Sequence, residues 1–121
     1  MNLLYLDDDS FDFELTKLRC TATWPDCKVR HVEDRETFMA ALNEETFDVI
    51  LSDSGVATLS GLEALRLARE HAPNVPFIFL CGVMTEEREQ TVRASGADGL
   101  VYKDSAGELV ALIERCVKRT G

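Results

Sequence analysis

Four short, unbroken apolar runs constrain the fold of this chain more than any other feature: Leu3-Leu4-Tyr5-Leu6, Val49-Ile50-Leu51, Phe77-Ile78-Phe79-Leu80 and Leu100-Val101-Tyr102. Runs this short, with no polar alternation, suit strands covered on both faces, as in a parallel sheet. A fifth segment, residues 27–32, alternates apolar and basic side chains and suits a half-covered edge strand. Between these runs lie helical signatures. Ser60-Gly61-Leu62-Glu63 and Ser105-Ala106-Gly107-Glu108 read as capping boxes, in which the Ser oxygen accepts from an orphan amide and the Glu reaches back. Beyond the second box, Leu109, Leu112, Ile113 and Cys116 share one helical face. Asp34 is placed to cap a helix running to about Asn43. Residues 85–95 also read as helix, but with only Val92 and Ala94 as apolar anchors it should be the least firmly held. Five strands and five helices are expected, in strict alternation.

Such alternation with short connections implies right-handed crossovers and a central parallel sheet. A closed eight-fold barrel needs about twice this length. The prediction is therefore an open, flavodoxin-like doubly wound (βα)5 domain over residues 1–121, with strand order 2-1-3-4-5. A 45% hydrophobic content is enough for one sizeable core.

Thirteen Lys and Arg against twenty-two Asp and Glu give a formal charge of −9. That balance argues against a nucleic-acid or anionic-membrane surface, both of which need clustered positive charge. The longest apolar stretch, residues 75–84, is broken by Pro76 and Gly82 and is too short to span a bilayer. With no signal-peptide pattern at the start of the sequence, a cytoplasmic location is expected. Cys20, Cys27, Cys81 and Cys116 form no C-x-x-C pair, so three are read as small buried hydrophobes and Cys81 is set apart by its position.

In open α/β sheets the site lies beyond the carboxyl ends of the strands, where strand order reverses. The first run ends in Asp7-Asp8-Asp9, the third in Ser52-Asp53, the fourth in Cys81-Gly82 and the fifth in Lys103-Asp104. Carboxylates crowded into one crevice raise each other's pKa, and a shared cation relieves the repulsion. Oxygen ligands without sulfur or imidazole favour a hard ion, and few carboxylates with room for water favour Mg²⁺. A carboxylate beside Mg²⁺ and a lysine ammonium can accept a phosphoryl group.

These residues resemble the receiver domain of two-component response regulators over essentially the whole chain. Leu4-Tyr5-Leu6-Asp7-Asp8-Asp9 resembles the family's acidic pair, and Phe47-Asp48-Val49-Ile50-Leu51-Ser52-Asp53 the run into its phosphoacceptor. Gly61 matches the glycine that opens the third helix, and the stretch from Ser95 to Lys103 the strand ending in the family's lysine. The resemblance implies a phosphoacceptor signalling domain and not an enzyme. In it Asp53 takes phosphate from a histidine kinase or phosphotransfer protein, and the signal passes to a downstream protein or output domain. It further implies Mg²⁺ on Asp8, Asp53 and the Gly55 carbonyl, with Asp7 acting through water. Lys103 would pair with Asp53 and then with the phosphoryl oxygens. Any homodimer is expected through the fourth helix, fifth strand and fifth helix.

Departures from the pattern are equally specific. Cys81 stands where the family usually has Ser or Thr, Leu100 where it often has an aromatic, Ala57 where proline is common, and Asp104 where proline often follows the lysine. The alternative is therefore a receiver-like interaction module with weak or no phosphorylation-dependent switching. An aspartate-nucleophile phosphohydrolase would want a D-x-D motif, but residue 55 is Gly. A flavin site would want a phosphate-binding loop where Asp7-Asp8-Asp9 stand.

Overall fold

The computed structural model describes residues 1–56 and 59–120. Its main sheet holds five parallel strands: β1 (Asn2–Leu6), β2 (Lys28–Val32), β3 (Val49–Asp53), β4 (Phe77–Cys81) and β5 (Gly99–Tyr102), in the order β2-β1-β3-β4-β5. The helices are α1 (Ser10–Thr23), α2 (Arg35–Glu44), α3 (Gly61–His71), α4 (Glu86–Arg93) and α5 (Ala106–Thr120). The expected doubly wound order is the one observed. Among the described residues no helix is long and apolar enough to cross a membrane.

The strand runs are unbroken because each face of the sheet has its own core. Leu4, Leu6, Ile50, Phe77 and Phe79 pack against Phe38, Leu65 and Val92 of α2, α3 and α4. Leu3, Tyr5, Val49, Leu51, Ile78 and Leu80 point the other way, against Cys20 of α1 and Leu109, Ile113 and Cys116 of α5. Alternate residues of one strand thus feed opposite layers. Strand β2 lies at the sheet edge, pairing with β1 from Asn2↔Lys28 to Leu6↔Val32, and only Val32 is fully buried. It starts one residue later than the expected segment, with buried Cys27 just before it. All four cysteines are buried, and none is joined in a disulfide.

Local differences have local causes. Strict alternation is interrupted by a small antiparallel pair, Gly55–Val56 with Leu59–Ser60, between β3 and α3. Two-residue strands carry no periodicity that a sequence could display. Asp34 makes a full capping box with Thr37, which no motif at the sequence level marked. At Ser60 half of the predicted box forms. The Glu63 amide donates to the Ser60 hydroxyl at 3.2 Å, while the Glu63 carboxylate turns to Arg66 and Arg35. At Ser105 the hydroxyl donates to Asp104 at 3.4 Å and the Glu108 amide bonds the Ser105 carbonyl.

Candidate functional site

Past Leu6 the β1 chain continues its ladder for one more bond, from the Asp7 amide to the Val32 carbonyl at 3.1 Å, and then turns into α1. That extension buries Asp7 completely. A buried carboxylate needs donors, and Asp7 has three. Its Oδ2 accepts from the Tyr5 hydroxyl at 2.8 Å and from Lys103 Nζ at 2.9 Å, and its Oδ1 from the Asp9 amide at 2.9 Å. Asp9 in turn caps α1, accepting from the Phe11 and Asp12 amides. The Asp7 carbonyl lies 2.6 Å from Nε2 of His31, whose ring stacks on Phe13 at 4.3 Å. A carbonyl only accepts, so this nitrogen carries the proton. His31 therefore buttresses the loop.

Asp53 ends β3 next to β1, with its side chain 16% exposed. Burial pushes its carboxyl above the usual range; Lys103 opposes that shift and Asp7 adds to it. Lys103 follows β5, and its amide donates to the Cys81 carbonyl at 2.8 Å, tying the ends of β4 and β5 together. Its ammonium stands 3.5 Å from Asp53, 2.9 Å from Asp7 and 2.6 Å from Asp12. Burial lowers its pKa, but the bonds to Asp12 and Asp7 and the charge of Asp53 override that, so it stays firmly cationic.

Asp7, Asp8 and Asp53 each offer a carboxylate oxygen, and these oxygens lie within 4.8 Å of one another. A tight all-oxygen set with one buried, one half-buried and one exposed member fits a hard divalent cation that keeps water in its shell. Gly55 follows two residues after Asp53 and begins the small antiparallel pair. Cys81 closes β4 and is fully buried. Burial raises its thiol pKa, against a hydrogen bond with Ser54 that lowers it, so it is a neutral thiol. A cleft of about 150 Å³ opens beside it, lined by Cys81, Gly82, Val83, Tyr102, Lys103 and Asp104. Larger grooves, of about 460 and 480 Å³, lie against α3 and α5 away from the carboxylates. Leu100 is half-buried against the α2–α4 core. Ala57 lies outside the described residues.

The side chains of Asp7, Asp8, Asp53, Cys81 and Lys103 thus meet at one end of the sheet. Sequence reasoning missed three contributors. Asp12 takes the shortest contact to Lys103, Tyr5 holds Asp7, and Arg88 of α4 donates to the Ser54 carbonyl at 3.3 Å. Asp12 and Lys103 are 91 residues apart, and no local pattern signals that pairing.

The family model of the response regulator receiver domain matches residues 3–114. Transcriptional regulatory protein QseB of Haemophilus influenzae is 29% identical over 125 residues, covering 98% of this chain and 53% of that protein. The DNA-binding transcriptional regulator NtrC of Proteus hauseri is 30% identical over 117 residues, covering 96% of this chain and 24% of that protein. The chain therefore spans about half the length of the first relative and about a quarter of the second. Among solved structures, the Francisella response regulator 1452 receiver domain matches with a TM-score of 0.80 and 24% identity, over 99% of this chain and 98% of that one. NtrX from Brucella abortus matches with a TM-score of 0.87 and 20% identity, over 98% of this chain and 27% of that one. These two likenesses carry the fold, and the family match carries the membership: the chain belongs to the response regulator receiver domains of two-component systems.

Proposed function

We propose that residues 1–121 form one phosphoacceptor unit in which Asp53 receives a phosphoryl group with the help of Mg²⁺. The observation that carries this reading is the meeting of three carboxylates within 4.8 Å with a lysine ammonium 3.5 Å from one of them. Asp53 is the nucleophile, because it is the half-buried member and faces the ammonium. Its raised pKa makes the carboxylate more basic than an ordinary one. Its oxygen attacks phosphorus, the bond from phosphorus to the donor nitrogen breaks with its electron pair going to nitrogen, and the donor imidazole, already protonated on its other ring nitrogen, leaves as neutral imidazole. Lys103 offsets charge on the transferring oxygens. Asp7, Asp8, Asp53 and the Gly55 carbonyl would hold Mg²⁺, which when bound neutralises part of the same charge. Asp7, fixed by three donors, keeps that ligand set in register. Cys81 offers the phosphoryl group a thiol, a weaker donor than a hydroxyl.

The donor is a histidine kinase or phosphotransfer protein. Phe11 and Leu18, 69% and 65% exposed and seven residues apart on α1, give it an apolar surface on the helix that follows the acidic loop. A downstream protein or output domain then reads the phosphorylated state. Incubation with a small phosphodonor, followed by mass spectrometry, tests the assignment. One added phosphoryl group at Asp53 is expected, dependent on Mg²⁺ and lost in Asp53→Asn. Labelling that persists in Asp53→Asn, or none in the native protein, overturns it.

A further inference from the structure

We propose that Asp12 is a positioning residue, which holds the Lys103 ammonium back from Asp53 and so sets how readily the site accepts a phosphoryl group. The inference rests on the phosphoacceptor reading of Asp53 and goes beyond it. Three carboxylates compete for one ammonium, and the contact to Asp53 is the longest: 2.6 Å to Asp12, 2.9 Å to Asp7 and 3.5 Å to Asp53. The competitors differ in freedom. Asp7 is fully buried and held by Tyr5 and the Asp9 amide, so it cannot follow the lysine. Asp12 sits in the first turn of α1 with its side chain 26% exposed, and water can replace the lysine there.

A phosphoryl group on Asp53 replaces one carboxylate charge by close to two on the phosphoryl oxygens, a net gain of about one, and brings three strong acceptor oxygens. Lys103 has three donors on a flexible stem and can turn toward them, but only by giving up the Asp12 contact. The Asp12 pair therefore stabilises the unphosphorylated arrangement alone, and its strength is subtracted from the affinity for a phosphoryl group. This runs against the simple view that a carboxylate touching the site lysine helps the site work. If Asp12 only kept Lys103 in place, its removal would weaken phosphoryl binding. If it holds the lysine back, its removal strengthens it.

Amide NMR titrations with Mg²⁺ and beryllofluoride, a phosphoryl mimic, decide between these. Native protein, Asp12→Asn, Asp12→Glu and Glu14→Gln are compared. Glu14 is exposed on the same helix and is not among the partners of Lys103, so it controls for loss of charge. Asp12→Asn is expected to lower the half-saturating beryllofluoride concentration about fivefold, the scale of one partly exposed ion pair. Asp12→Glu should return it toward the native value, and Glu14→Gln should change it less than about twofold. Without Mg²⁺ or mimic, the Lys103 ε-methylene signal should move in Asp12→Asn and stay in place in Glu14→Gln. Equal or weaker binding in Asp12→Asn, or an equal gain in Glu14→Gln, overturns the inference while leaving Asp53 as acceptor. No response at Asp53 in any of the proteins overturns the phosphoacceptor reading and the inference with it.

Discussion

At Asp53 burial outweighs the help of Lys103, and the carboxyl pKa lies above its unfolded value. The native state therefore holds this proton more tightly than the unfolded chain does. Its contribution to stability is complete below the ordinary carboxylate range near pH 4 and is lost as pH rises through the folded value. At neutral pH, without Mg²⁺, Asp53 is a charge the fold carries at a cost. Asp53→Asn is expected to raise the urea unfolding free energy at pH 7 by about 1–2 kcal/mol, the scale for exchanging a desolvated charge for a neutral isostere. The gain should shrink as pH falls toward 4; an equal gain at both pH values would show that charge is not the cause. Asp53, Asp7, Asp8 and Lys103 were legible in the sequence because each follows an apolar run, and strand ends converge by the geometry of the sheet. Asp12 and Tyr5 were not, for different reasons. An acidic residue in a helix's first turn already has an explanation in the helix dipole, and a tyrosine inside an apolar run reads as core. Both readings hold; they omit the bond that the far end of each side chain makes.

Among the helices α4 stands apart, with Val92 its one buried residue, whereas α5 buries Leu109, Ile113 and Cys116. Thin anchoring leaves a segment free to open locally. Amide hydrogen exchange should be faster across Glu86–Arg93 than across residues 109–116, by about tenfold or more; equal rates would show that α4 is not the least firmly held helix. Its Arg88 reaches the Ser54 carbonyl, next to Asp53, so movement of α4 would be felt there. At the start of α3 the constraint is steric. A Cβ on Gly61 would stand 2.7 Å from the Ser54 carbonyl oxygen and 2.8 Å from Phe79. Gly61→Ala should therefore cost about 1–3 kcal/mol in urea unfolding and shift the Ser54 amide resonance, since the backbone after Asp53 must yield. A loss below about 0.5 kcal/mol would mean that the loop gives way freely. Sequence reasoning found Gly61 by resemblance and α4 by its poverty of apolar residues. It could not foresee the Ser54–Gly61 approach, because that depends on a turn containing a pair of strands too short to leave a pattern.

In the whole molecule the sheet separates two apolar layers, and the crevice opens where β1 and β3 lead off to opposite sides. A cation bound there would stabilise only the folded chain, because the unfolded one has no such ligand cluster. At a Mg²⁺ concentration about a hundred times its dissociation constant, the unfolding free energy should rise by about 2.7 kcal/mol. EDTA should abolish the increase, and so should Asp8→Ala, which removes an exposed side chain the core does not use. An undiminished increase in Asp8→Ala would place the ion elsewhere. The layered architecture was fully legible, since unbroken apolar runs have no other use at this length. The position of β5 against its neighbours was less so, and it carries a consequence for how the chain can vary. Asp98 bonds the Phe77 amide at 2.8 Å and Arg69 at 3.0 Å, and a Cβ on Gly99 would meet Leu112 at 2.4 Å. The strand is thus pinned at its first residue, and four residues later comes the lysine. Because side chains alternate across a sheet, losing one residue in this span would bring Asp104 to the place of Lys103 and leave the crowded carboxylates of the crevice without their ammonium. Substitutions in β5 are graded changes, whereas a single deletion is a charge reversal, so length and not composition is what this strand can least afford to vary.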